Sequence, residues 1–332
     1  MRLDGDSWDG AIGTRCAACG WAEVSQRIET REMMVGLREP FTYHRCERCR
    51  SLWLTDPPED LAPYYAGAYY SMRAPAPKAD AWTKLRAAAA LRLPARIVDR
   101  AGRVRGLSGT PWFARWLVGL GIKRTDKIGD IGSGAGQLLA EMRAHGFRDL
   151  WGFDPFLSDA SDAGGIHLRK TDVSGAPDGF KLLMSHHSLE HVPDPLAALR
   201  TARRKLAAGG VLLVRLPVAD SYADRTYGGD WVALDPPRHL WIPSEDGMLR
   251  LAGSAGFTTT RIFYDSSELQ FYASEQYQRD VPLCDPRSVA EGSEVVFDRA
   301  DLLAFKQRAA ELNARSADDS AGFVLRPDGS VA

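Results

Sequence analysis

The stretch of this 332-residue chain with the clearest chemical content is Asp130-Ile131-Gly132-Ser133-Gly134-Ala135-Gly136. It closes an apolar run, Ile128-Gly129-Asp130-Ile131, and opens the helix-like Gln137-Leu138-Leu139-Ala140-Glu141-Met142. A strand, a glycine turn and a helix N-terminus put bare backbone N–H groups beside a ligand. The dinucleotide fingerprint G-x-G-x-x-G keeps its third glycine at the helix to serve pyrophosphate. Here the glycines run G-x-G-x-G, and Gln137 stands where that third glycine would be. Asp130, just before the loop, repels phosphate and attracts an ammonium. S-adenosylmethionine carries an ammonium and lacks a pyrophosphate, so the spacing favours that cofactor.

Two further acids close apolar runs. Trp151-Gly152-Phe153-Asp154-Pro155 places Asp154 about where an α/β sheet sets a carboxylate on ribose hydroxyls. Lys170-Thr171-Asp172-Val173 offers a carboxylate to an adenine amino group. Four of the five cysteines form C-x-x-C pairs, Cys16/Cys19 and Cys46/Cys49. In a cytoplasmic chain such pairs point to metal binding or redox chemistry rather than a disulfide framework. The fifth, Cys284, reads as a small buried hydrophobe.

The elements that must position these groups alternate from Asp126 onward, short apolar runs with helical patterns, the signature of a parallel α/β sheet. Strands are expected near 127–131, 149–154, 166–171, 181–185, 210–216, 258–265 and 320–326, with a helix over 299–315. Upstream, an aromatic segment at Tyr64–Tyr70 leads into an Ala/Arg-rich helical linker. Residues 73–116 carry ten Lys/Arg against Asp80 and Asp99, beside Trp112, Phe113 and Trp116. Such a segment is a candidate for peripheral contact with anionic lipid; a solvated helical bridge between domains is the plainer reading. An apolar share of 45% and a charged share of 26% suit a globular protein with a substantial core. A net charge of −1 gives no general attraction to nucleic acid. A polar N-terminus and short apolar runs lead to the expectation of a cytoplasmic protein.

Residues from about 126 to 260 resemble a class I S-adenosylmethionine-dependent methyltransferase domain. Asp130–Gly136 is similar to its first motif, Asp154 to its ribose acid and Asp172 to its adenine-side acid. Phe180–Pro195 resembles the fourth strand with its following turn, and Leu206–Val214 the glycine turn entering strand five. The cysteine pairs, the aromatic segment and Pro236-Pro237-Arg238-His239-Leu240-Trp241 extend the likeness to a subgroup with an N-terminal zinc-binding module. Gly129, at a usually apolar position, and Ser133, at a position often cysteine, depart from the pattern. The resemblance implies an α/β fold, a seven-stranded Rossmann-like methyltransferase sheet with a small zinc-ribbon-like module. By its texture the chain is expected to divide into a zinc-binding module at 1–72, a helical linker at 73–120 and a methyltransferase domain at 121–332. The cofactor residues implied are Asp130, Gly132, Ser133, Gly134, Gly136, Asp154, Pro155, Asp172, Val173 and His186.

Four thiolates around one Zn2+ would leave no open position, so Cys16, Cys19, Cys46 and Cys49 are expected to hold a structural ion. Gly20 and Arg50 follow the two pairs, where the chain must turn. Methyl transfer from a sulfonium is an in-line displacement to which alignment contributes most, and a hydroxyl acceptor must also lose a proton. His187 and His239 are the candidate catalytic residues, with His239 preferred on the substrate side, although Arg238 and His239 could simply brace a proline turn. Glu190 and His191 are expected to cap the helix beginning at Pro195. Trp231, Tyr222 and Tyr227 would give 217–243 aromatic walls.

The function expected is methyl transfer to a small-molecule or sugar/glycan acceptor, O-directed, with no nucleic-acid partner and the oligomeric state open. One alternative is an RNA methyltransferase with a zinc-ribbon reader, although acids such as Asp4, Asp6, Asp9, Glu23 and Glu29 interleave with the arginines of residues 1–60. A non-catalytic cofactor-binding scaffold is the other.

Overall fold

The structure is a computed structural model that describes residues 14–65 and 113–329. The aromatic segment beyond Tyr65 and the basic stretch 73–112 lie outside the described residues. Two compact units are built from discontinuous segments. One comprises Met1–Ala66, His187–Leu199 and Arg215–Phe323, the other Gly67–His186, Arg200–Val214 and Val324–Ala332. Among the described residues no helix is long and apolar enough to cross a membrane.

Among the described residues, twelve strands are numbered in chain order. β1 (Val24–Arg31), β2 (Pro40–Cys46) and β3 (Leu52–Leu54) lead to β10 (Trp241–Ile242), and these four form an antiparallel sheet in the order β1-β2-β3-β10. The second sheet draws on β4 (Lys127–Ile131), β5 (Asp149–Phe153), β6 (Ser161–Ala163), β7 (Ile166–Arg169), β8 (Phe180–His186), β9 (Leu206–Pro217), β11 (Phe257–Tyr264) and β12 (Ser320–Pro327). Its order is β11-β12-β9-β8-β4-β5-β7-β6. The seven strands expected from the sequence are all present, and β6 adds a short antiparallel edge to β7.

β4 is parallel to both β5 and β8, and β5 to β7. The chain leaves β4 toward β5 and β7, and later reaches β8 and β9 on the other side, so the order reverses at β4. Doubly wound sheets bind ligands at the carboxyl ends of strands beside such a reversal. Ile128, Leu150, Phe153, Phe180, Leu182 and Leu183 are fully buried in this region. Gly129 explains its own departure from the apolar pattern: a Cβ there would lie 2.6 Å from Leu183 Cδ2 and 3.1 Å from the Phe180 ring. The short helix Ala114–Leu117 turns Phe113 and Trp116 inward, Phe113 packing edge-on against His145 and Phe147. These two rings of the aromatic stretch are core, not surface.

Candidate active site and metal cluster

The glycine loop sits at the reversal point. Gly132, Gly134 and Gly136 have φ of 73°, 50° and 79°, left-handed values that a side chain would strain. Phe153 O at the end of β5 accepts from Gly132 N at 2.8 Å, which fixes the loop against the sheet. Gly152 permits that approach, since a Cβ there would stand 2.6 Å from both Ser133 Oγ and Leu168 Cδ2. Asp154, buried, accepts from Gly134 N through Oδ2 and from Phe156 N through Oδ1, both at 2.9 Å. The ring of Phe156 is 75% exposed beside that acid, and Pro155 is exposed as well.

Asp130 is buried at the end of β4, and its Oδ1 has no hydrogen-bond partner. Burial, and after it the charge of Asp154, pushes its carboxyl up to about 8. A buried carboxyl with an unsatisfied oxygen asks for a cationic partner. The ammonium of S-adenosylmethionine is such a group, so the chemistry of these residues fits the cofactor. Asp172 is exposed beyond β7, where its Oδ1 caps a short turn through Ser174 N at 2.8 Å, while Val173 is buried. His186 ends β8 and stacks on Trp116, ring centroids 4.5 Å apart.

In the other unit, His187, His191 and His239 surround Glu190, which is fully buried. His187 (φ 49°) has its side chain 37% exposed, with Nδ1 3.5 Å from Glu190 Oε1. His239 is only 10% exposed at its side chain, and Nε2 lies 3.9 Å from both Glu190 Oε1 and Asp235 Oδ2. Its Nδ1 is 2.8 Å from Ala233 O, and that of His191 is 2.8 Å from Arg238 O. Burial alone would raise the pKa of Glu190, but the surrounding imidazoles hold it down to about 2. Neither Glu190 oxygen has a hydrogen-bond partner. The helix Pro195–Lys205 is capped instead by Asp194, whose Oδ1 accepts from Ala197 N at 2.8 Å. Glu190 and His191 therefore do not cap it.

The cysteine pairs form two matching turns. Cys16 N donates to Trp21 O at 2.9 Å and Cys46 N to Ser51 O at 2.8 Å. Gly20 N reaches Cys16 O at 2.7 Å, Arg50 N reaches Cys46 O at 3.0 Å, and both residues are left-handed. The four sulfurs lie within 4.8 Å of one another, with Cys16–Cys49 at 3.5 Å and Cys19–Cys46 at 3.6 Å. Sulfurs each about 2.3 Å from a tetrahedral ion stand about 3.8 Å apart, so the cluster fits one.

A methyltransferase-domain family matches residues 86–262, more than half of the chain. The chain belongs to that family. No curated protein sequence matches it. Among solved structures it is similar to a cyclopropane synthase from Mycobacterium tuberculosis, at 16% identity over 62% of this chain and 79% of that one, TM-score 0.40. It is also similar to an O-methyltransferase from a polyketide multienzyme of Brevibacillus brevis in complex with S-adenosyl-L-homocysteine, at 15% identity, 63% and 69% coverage and TM-score 0.38. A third is a coclaurine N-methyltransferase bound to N-methylheliamine, at 12%, 62%, 66% and 0.37.

By that family the protein is an S-adenosylmethionine-dependent methyltransferase, and its sequence shows the glycine loop better than the rest of the candidate site. Asp130, the loop glycines and Asp154 are brought together, joined by the Gly134–Asp154 hydrogen bond. Gly152 and the exposed Phe156 escaped notice, although both flank a residue singled out. Trp231 of this methyltransferase is core, its Nε1 bound to Asp319 Oδ2 at 2.8 Å, and Tyr227 is buried with its hydroxyl on Glu275 at 3.3 Å. Those two rings are not walls. Cys284 is exposed rather than buried, and partial desolvation raises its thiol, which disfavours a thiolate nucleophile.

Proposed function

We propose that this methyltransferase transfers its methyl group to a hydroxyl of a small-molecule, sugar or glycan acceptor. Supporting this is one observation, the imidazoles of His187 and His239 gathered with the Glu190 carboxylate. A hydroxyl gives up a proton on methylation, and an imidazole can take it. His187 and His239 are the acceptor-side residues, His187 being the more exposed. On the cofactor side, Asp130 takes the ammonium and Gly132, Ser133, Gly134 and Gly136 supply backbone. Asp154 and Pro155 serve the ribose, Asp172 and Val173 the adenine side, and His186 lines the pocket. Cys16, Cys19, Cys46 and Cys49 hold one structural Zn2+, which supports a segment too small to keep a core by itself.

The test is mass spectrometry of cell extract incubated with the protein and methyl-labelled cofactor. Label on an oxygen of a small molecule or glycan is the expected result. Label confined to RNA, or to nitrogen or carbon, would overturn the acceptor reading.

A further inference from the structure

The Glu190 cluster holds more order than an acceptor-side hydrogen-bond set needs. One ligand atom from each of Glu190, His191 and His239 falls within 4.8 Å of the others. Glu190 is 0% exposed and neither oxygen accepts a hydrogen bond, the imidazole nitrogens of His187 and His239 standing off at 3.5 and 3.9 Å, and a buried carboxylate in that condition asks for closer compensation. The two histidines are arranged alike. Each commits Nδ1 to a backbone carbonyl at 2.8 Å, Ala233 O for His239 and Arg238 O for His191. That bond makes Nδ1 the protonated nitrogen and leaves the Nε2 lone pair directed elsewhere. Metal-bound histidines characteristically donate their second N–H to a carbonyl or carboxylate, which fixes ring and tautomer. His239 Nε2 and Glu190 Oε1 are 3.9 Å apart. Two donors each about 2.1 Å from one ion stand about 3–4.2 Å apart, so an ion fits between them.

We propose that Glu190, His191 and His239 form a second metal site, distinct from the cysteine cluster, that binds a first-row divalent cation. Two imidazoles and one carboxylate suit zinc, iron(II) or cobalt(II) rather than magnesium or calcium, which prefer oxygen. The sulfur-only cluster is a closed site, whereas three ligands leave positions open. An acceptor hydroxyl would fill one of them, a step that rests on the transfer reading; ion binding itself does not. His239, with Nδ1 on Ala233 O and Nε2 on the ion, then takes no proton itself, and His187, outside the trio, is the imidazole that takes the acceptor's proton.

The test uses Co2+ as the probe on chelator-stripped, full-length protein. After dialysis, wild type should bind two equivalents. One should show the strong near-ultraviolet absorption of thiolate-bound cobalt, and the other only the weak visible bands of a nitrogen and oxygen site. Glu190→Gln and His191→Ala should each weaken the second equivalent by at least about 100-fold and leave the thiolate band intact, which also reports that the protein is folded. Wild type binding only the thiolate equivalent would overturn the proposal, as would undiminished visible bands in Glu190→Gln. Neither outcome depends on methyl transfer, so an error in the acceptor reading would show separately in the labelling experiment.

Discussion

Gly134 donates its backbone N–H to Asp154 Oδ2 at 2.9 Å, so the acid at the end of β5 holds the apex of the glycine loop that follows β4. Asp154 is therefore both a ribose candidate and a fastener of the loop. Asp154→Asn can turn an amide N–H₂ toward Gly134 N, replacing an acceptor with a donor. Calorimetry should show cofactor affinity lowered by at least about tenfold, the consequence of losing a charge-assisted bond of about 1.5–3 kcal/mol. Gly134→Ala strains a left-handed residue at φ 50° and should cost about 1–2 kcal/mol in chemical denaturation. An unchanged affinity in Asp154→Asn would separate the loop from the cofactor.

Asp130 yields a prediction whose sign is fixed by its environment. Its folded pKa of about 8 lies above the unfolded carboxyl value of about 3.9. Its contribution to stability is fully present below about pH 4 and is lost as pH rises toward about 8. Asp130→Asn should therefore raise Tm at pH 7.5. An ammonium ligand needs the ionised carboxylate, so cofactor binding to wild type at pH 7 should release a proton. Calorimetry in two buffers of different ionisation enthalpy should detect it, and Asp130→Asn should abolish it.

Gly152→Ala tests how closely the loop approaches β5. The added methyl meets Ser133 Oγ, Leu168 Cδ2 and Leu139 Cδ1 at 2.6, 2.6 and 3.0 Å. Overpacking of this kind costs about 1–3 kcal/mol, and here it pushes directly on Ser133 of the glycine loop. Denaturation midpoint and cofactor affinity should fall together.

The strands were legible because each couples a buried apolar run to a turn signal; β4 was expected and found at 127–131. β6 was not, since Ser161-Asp162-Ala163 is exposed and carries no apolar pattern. β10 is two residues long, yet it pairs with β3 beside the cysteine turns. A division of the chain at residue 72 cannot see that pairing, because local pattern says nothing of partners far along the chain. Glu190 was misread for the same reason. Followed by His191-Val192-Pro193-Asp194, it looks like a helix start, and what explains it is His239 and the carbonyl of Arg238, 47 positions beyond His191.

Removing metal from the cysteine cluster should loosen the turns it joins. Binding to such a site contributes about 10–16 kcal/mol in small zinc modules, more than this short sheet can supply itself. A strong thiol-competing chelator should therefore make residues 14–65 sensitive to limited proteolysis, and added zinc should restore protection. Cys46→Ser should show the same sensitivity without chelator. Protection unaffected by either treatment would mean that the turns stand without an ion.

Arg238 separates bracing from chemistry in the Pro236-Pro237-Arg238-His239 segment. Its side chain is 0% exposed and contacts Glu32 Oε1 at 2.9 Å, Asp235 and Tyr64 O. Glu32 also accepts from the backbone of Met34, Val35, Gly36 and Leu37, so it keeps partners if the guanidinium is lost. Arg238 holds Asp235 through both Nε and Nη2, and the nearest other cationic group to that carboxylate, His239, stands off at 3.9 Å. Removing one member of a buried ion pair costs about 3–5 kcal/mol, and Arg238→Met should lose that much in chemical denaturation. Arg238→Lys should recover only part, because one ammonium cannot span three acceptors held in a planar fork. Adding Asp235→Asn and Glu32→Gln to Arg238→Met removes the stranded charges and should restore much of the midpoint. If Arg238→Met instead kept its midpoint and lost only turnover, the arginine would belong to the acceptor side and the bracing role would be wrong.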